Sequence, residues 1–252
     1  MTRYRPLLGF AAVLLVLAGG YLAIGLTRIG RMQADLGQVQ KALEKHRTAK
    51  AMVLADDLAK KYPRSQAVAV GLGGLLEQYQ LHEPAIRQFE RAWKLSPNPK
   101  VAESLAFCKW RPGTPISRRE IDEIRGIYDR GLARWPEDPG LLNDYAYFLA
   151  EMDLDPNDAV RMARQAIASS PTEPAVMDTL AWALYKRDRR GDLQAAYKLQ
   201  DKALQLDNGS VELREHLITI CRSLGNNRRA DMEESKLHPG KHKGNQDRTK
   251  PR

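Results

Sequence analysis

The stretch that decides the fold runs from Pro63 to Pro97, PRSQAVAVGLGGLLEQYQLHEPAIRQFERAWKLSP. Its first half reads Ala69-x2-Leu72-Gly73-x2-Leu76 and its second half Ala85-x3-Phe89-x2-Ala92. Both halves repeat apolar or small residues at three- and four-residue steps, the period of an α-helix with one buried face. Small residues where the two stripes face each other allow the backbones to approach closely. The segment therefore predicts two antiparallel helices packed as a hairpin.

The pattern recurs along the chain. Pro136 and Pro171 close two further units and Asn208 closes a third, so the closing residues stand 34, 39, 35 and 37 apart from Pro63 onward. Twelve positions before each closure lie Ala51, Ala85, Ile124, Ala159 and Ala196, and five before lie Leu58, Ala92, Gly131, Ala166 and Ala203. In the first helices the matching small site is Gly73, Ala146 and Ala181, with Phe107 as the exception. This array resembles the tetratricopeptide-repeat (TPR) family, in its membrane-anchored bacterial form, with Ala69 at the first aromatic position and Leu76 where Tyr is usual. The resemblance implies an all-α fold, a solenoid of five to six helical hairpins of which four are clear.

Extra residues fall between the two helices of a unit, at 111–117, 153–158 and 186–192, along one edge of such a stack. Units are expected near 32–65, 66–99, 100–138, 139–173 and 174–210, followed by a polar cap over 211–235. The first helix of the opening unit shows only Leu36, Val39 and Leu43, and a stalk helix continuous with the preceding segment is an alternative. Beyond it, 236–252 is rich in Pro, Gly, Lys and Arg and reads as a disordered basic tail.

Residues 1–31 form the other end. No charge lies between Pro6 and Thr27, and residues 7–26 are long enough for about 30 Å of helix, the thickness of a bilayer core. They predict a transmembrane anchor with basic flanks, Arg3 and Arg5 before it and Arg28 and Arg31 after. A cleaved signal peptide, leaving a secreted or periplasmic body, is the competing reading; the apolar run exceeds the usual signal core. Crowding of the amine and two arginines before the span favours a cytoplasmic amino terminus, a bacterial inner membrane and an extracytoplasmic body.

The net charge of +9 belongs to these two ends, +4 in 1–31 and +5 in 236–252, leaving 32–235 neutral. A neutral body argues against an RNA-binding helical repeat, whose affinity rests on basic contacts to phosphate. The basic tail reads as solubilising, with docking on an anionic surface as the alternative. Cys108 and Cys221 carry no CxxC spacing and read as buried apolar residues, with a disulfide or a regulated thiol as the alternative. His238 and His242 lie four apart in the tail, where solvated filler is the simpler reading than a metal site. No phosphate loop, nucleophile elbow or metal-ligand motif occurs, so no catalytic residue, metal or cofactor is assigned.

TPR proteins bind peptide segments in a concave groove, and the resemblance implies that exposed first-helix positions form it. These are Asn143, Asp144 and Tyr147, then Asp178, Thr179, Trp182 and Tyr185, and finally Glu212, Glu215, His216 and Thr219. The set is aromatic and acidic, favouring a protein partner whose segment carries Lys or Arg. The alternative for Trp182 and Tyr185 is ordinary packing between helices. A basic clamp for a terminal carboxylate is missing at Asn143 and Asp178. The reading is a membrane-anchored scaffold that recruits a protein component of an envelope assembly or biogenesis machine. An accessory subunit of a membrane enzyme complex, in polysaccharide export or cytochrome maturation, is the alternative.

Overall fold

The computed structural model describes residues 28–111 and 113–238. The expected span at 7–26, and the tail from residue 239 with His242, lie outside the described residues. Among the described residues no helix is long and apolar enough to cross a membrane. They form twelve α-helices and no strand. Two compact units divide them, Met1–Pro97 and Asn98–Arg252.

The first unit contains α1 (28–44), α2 (Thr48–Lys61), α3 (Gln66–Gln78) and α4 (His82–Leu95). In α1, Val39, Ala42 and Leu43 are buried. Its Asp35 receives bonds from Lys61 Nζ at 2.7 Å and Tyr62 Oη at 3.2 Å, both at the end of α2. Leu36 lies against Gly71 of α3. The helix is thus docked on the unit as well as being the first described element. Hairpin α3–α4 closes on Gly73, where an added Cβ would sit 2.8 Å from the ring of Phe89. A side chain there would require the Phe89 ring to shift.

The second unit consists of four hairpins: α5 (Pro99–Lys109) with α6 (Arg118–Arg134), α7 (Pro139–Glu151) with α8 (Pro156–Ser169), α9 (Pro174–Arg187) with α10 (Asp192–Leu206), and α11 (Val211–Ser223) with α12 (Asn227–Leu237). Helix starts are written in the sequence. Asn98, Asp138 and Ser210 each accept a hydrogen bond from the backbone N–H three residues on, and Ser117 with Glu120 forms a capping box. Proline opens α5, α7, α8 and α9, at helix positions where its missing N–H costs nothing. First helices α5, α7, α9 and α11 pack side by side as one layer, and α6, α8, α10 and α12 pack against them.

Both small-residue columns are buried throughout, from Ala51 and Ala85 to Ala196 and from Leu58 and Ala92 to Ala203. The exception at Phe107 dissolves. Ala106 is the fully buried small residue of α5, while Phe107 is 48% exposed. Helix α5 begins two residues after Pro97, whereas α3, α7 and α9 begin three after Pro63, Pro136 and Pro171, so counting ten on from Pro97 overshoots the column by one residue. Both cysteines are unbridged and buried, and burial raises the pKa of the Cys221 thiol.

The end of the array differs from a simple polar cap. Helix α12 continues through Lys236 and Leu237, and Leu237 packs against the cluster of Met177, Leu213 and Leu217. The chain thus still buries an apolar side chain where the composition already reads as tail. On the same helix Glu233 is fully buried among cations: Arg214, Lys236 at 2.9 Å and Arg229 at 3.2 Å. Burial opposes its charge, but these cations together hold the carboxyl below its ordinary pKa.

Candidate functional site

Where the first helices of the second unit lie side by side, they leave a pocket of about 330 Å³. Phe107 and Trp110, at the end of α5, form one side, with Tyr128 of α6 behind. Helix α7 contributes Asn143, Asp144 and Tyr147; α9 contributes its first turn together with Asp178 and Thr179; α11 contributes Glu212 and Leu213. Trp110 meets Phe148 edge-on at 5.0 Å and Tyr147 at 6.2 Å, so the aromatic wall is braced from within.

The floor is a buried polar network. Asp178 is 4% exposed and its Oδ1 lies 2.8 Å from Nδ1 of His216. The same oxygen accepts from Nε2 of Gln200, whose second bond goes to the Leu213 carbonyl at 2.9 Å. His216 stacks on Trp182 with ring centroids 4.1 Å apart, and the Trp182 indole N–H donates to Glu151. Tyr147 Oη donates to Glu212 at 2.7 Å. Burial disfavours an imidazolium at His216, yet the bond to Asp178 and the charges of Asp178, Glu212 and Glu151 outweigh it and raise the pKa. The pKa of Asp144 is also raised, which for a carboxylate disfavours the charged form. Burial, with Glu103 and Asp138 nearby, pushes its pKa up to about 6 against the opposing bond from Asn143 and charge of Lys100.

Of the eleven residues expected to form a groove, Asn143, Asp144, Tyr147, Asp178, Thr179 and Glu212 line this pocket. The expectation that these eleven positions are exposed fails for four residues. Asp178, Thr179 and His216 are buried, and Trp182 is only 9% exposed, because α11 packs onto α9 and covers that face. Trp182 and His216 support the floor of the pocket. Tyr185 stacks on Trp182 at 4.9 Å and lies 3.4 Å from the Ser223 hydroxyl. Glu215 and Thr219 lie outside the pocket, and the Thr219 hydroxyl is bonded to the Glu215 carbonyl at 3.0 Å.

Asp178, Glu212 and His216 bring three candidate metal-ligand atoms within 4.8 Å of one another, a cluster that no sequence spacing announces. Asp178 and His216 already bond each other, and Glu212 accepts from Tyr147, so hydrogen bonding accounts for the arrangement.

Sequence reading missed Gln200, Phe107 and Trp110. For Gln200 a signal existed. Eight positions before each closing residue stand Ala55, Phe89, Tyr128, Ala163 and Gln200, all buried. An amide in a column otherwise filled by apolar or aromatic side chains must answer a buried polar partner. Phe107 stood out only as the exception in the small-residue column, and Trp110 follows the end of α5 with no mark of its own.

No protein-family model matches the chain, and no curated protein matches it in sequence. Solved structures do match in fold. PilW, a widely conserved type IV pilus biogenesis factor, is 15% identical, with 83% of this chain and 93% of that one aligned and a TM-score of 0.61. The pilF protein of Pseudomonas aeruginosa is 15% identical over 83% of this chain and 92% of its own, with a TM-score of 0.58. A tetratricopeptide repeat protein from Parabacteroides merdae is 14% identical over 82% and 78%, with a TM-score of 0.62. Hairpins with small residues at their crossings, and these likenesses, give the chain the fold of the tetratricopeptide-repeat proteins.

Proposed function

We propose that this chain is a protein-interaction scaffold that holds a segment of a partner protein in the pocket of its second unit, and performs no chemistry of its own. The carrying observation is the pocket itself, built from first helices of four successive hairpins, half-open, with aromatic walls and a carboxylate rim. Aromatic side chains give contact area at low entropic cost, and an open pocket over a rigid, hydrogen-bonded floor is preorganised for a partner. The apolar run at 7–26 would tether this scaffold to a bacterial inner membrane, with its body outside the cytoplasm, at an envelope assembly or biogenesis machine. That PilW is a pilus biogenesis factor agrees with such a setting at the level of fold.

The test is a photoreactive residue at Phe107, which is exposed at the pocket, compared with one at Val53, exposed on the first unit. Crosslinking in intact cells should give a discrete protein adduct from position 107 alone, lost when Asp144 is replaced by Lys. Absence of any protein adduct at position 107, or an adduct indifferent to Asp144→Lys, would overturn the reading.

A further inference from the structure

The pocket is lopsided in charge. Among the described residues five carboxylates line it, from Asp144, Glu173, Asp178, Asp207 and Glu212, and no Lys or Arg does. His216 pairs with Asp178, which leaves the other four without a cation in the lining. Lys100, the cation nearest in effect to Asp144, is bonded to Glu103 at 2.7 Å. The first turns of α9 and α11 also reach the pocket, and each helix start carries roughly half a positive charge. Together they offset about one carboxylate.

Two further groups ask for a partner. Oδ1 of Asn143 is a buried acceptor and Nε1 of Trp110 a buried donor; neither has a hydrogen-bond partner among the described residues, and both residues line the pocket. Buried polar atoms without partners are rare and costly, so a ligand offering both a donor and a carbonyl gains by filling them. A peptide does so. The walls add a preference, since Phe107, half exposed, lines the pocket with Tyr147 and Trp110 beside the carboxylates. A planar cation that stacks on aromatic faces and carries several donors fits this better than a compact ammonium.

We infer that the pocket recognises an arginine side chain of the partner segment, its guanidinium seated among Asn143, Asp144 and Glu212 and its plane against the aromatic wall. This deepens the scaffold reading and rests on it. Arginine is the residue whose fork can bond a carboxylate and an amide oxygen at once while stacking on a ring. The charge also explains what the pocket excludes. An acidic segment, or a chain terminus offered by its carboxylate, would meet repulsion from the excess of carboxylates in the lining.

The experiment titrates the full-length protein in detergent with acetyl-Gly-Arg-Gly-amide and with its lysine and citrulline counterparts, by calorimetry at low salt. Citrulline keeps the shape of arginine and removes its charge. The arginine peptide should saturate, with the citrulline peptide at least about tenfold weaker and the lysine peptide about threefold weaker. Asp144→Asn and Glu212→Gln should each weaken the arginine peptide by about threefold or more, with melting curves showing that both variants are folded. Asp57→Asn, on the first unit, should change nothing. Equal binding of arginine and citrulline peptides, binding unchanged in the folded double variant, or no saturation by about 10 mM would each overturn the assignment. The two readings fail separately. A cellular adduct from position 107 with no preference for the arginine peptide removes the arginine assignment and leaves the scaffold standing; saturable arginine binding with no adduct does the reverse.

Discussion

The imidazole of His216 lies flat on the indole of Trp182, with ring centroids 4.1 Å apart and planes 12° from parallel, while its edge is bonded to Asp178. The pair joins α9 to α11 and forms the support beneath the pocket. His216→Ala would remove the stacking and leave buried Asp178 with the Gln200 amide as its remaining side-chain donor. Loss of one partner from a buried charged pair predicts destabilisation of about 3 kcal/mol, measured by denaturant unfolding. His216→Phe keeps the ring and should recover part of that loss. Equal stability of the alanine variant and the native chain would show that the pair contributes nothing.

The same pair predicts a pH dependence. The folded pKa of His216 lies above its ordinary value of 6.5. Its protonated form therefore contributes stability that is fully present below 6.5 and is lost as pH rises through the higher folded value. Unfolding free energies measured across that window should fall with pH in the native chain, and Asp178→Asn should flatten the decline.

Asp144 should act in the opposite sense to an ordinary ion-paired carboxylate. Its pKa of about 6 in the folded chain exceeds the usual 3.8, so the folded state holds the proton more tightly and stability declines as pH rises from 3.8 through 6. Asp144→Asn removes that penalty and is expected to stabilise the protein at neutral pH by on the order of 1–3 kcal/mol, with little gain below the window. The same variant loses arginine affinity, and the native pocket should itself release arginine as acidification protonates Asp144. A variant that gains stability and loses binding marks a site held against its own folding preference. Thermal melts alongside peptide titrations over this range would check both halves.

At the end of the array, Glu233 compensates Arg214, Arg229 and Lys236 while fully buried. Glu233→Ala leaves these cations facing one another around a cavity, and a loss of about 3–5 kcal/mol is expected. Because the carboxyl is held below its ordinary pKa of 4.5, its contribution is present above 4.5 and is lost as pH falls through the lower folded value. Hydrogen exchange of α12 should show local opening in the variant; protection equal to the native helix would refute this role.

In the first unit, Gly73→Val would drive its methyl groups into the ring of Phe89, whose nearest atoms lie 2.8 Å from the position of an added Cβ. Overpacking at a helix crossing should cost about 3 kcal/mol, outweighing the roughly 1 kcal/mol that glycine costs a helix. A combined Gly73→Val, Phe89→Leu variant should recover stability if the clash is local.

The sequence by itself determined the hairpins. Helix periodicity, capping residues such as Asn98 and Asp138, and small residues such as Gly73 and Ala166 act between neighbours in the chain or at fixed crossings, so their spacing carries the information. It also determined that positive charge sits at the ends and the body is neutral. Tertiary structure decided what a face position means. Asp178 and His216 occupy positions that a lone helix would expose, yet α11 covers α9 and buries them as a pair 38 residues apart. It likewise decided that Phe107 faces out, that Gln200 meets Asp178, and that Glu233 lies inside. Each of these depends on which helix stands opposite, a relation between distant segments that burial enforces by requiring every polar atom it covers to find a partner.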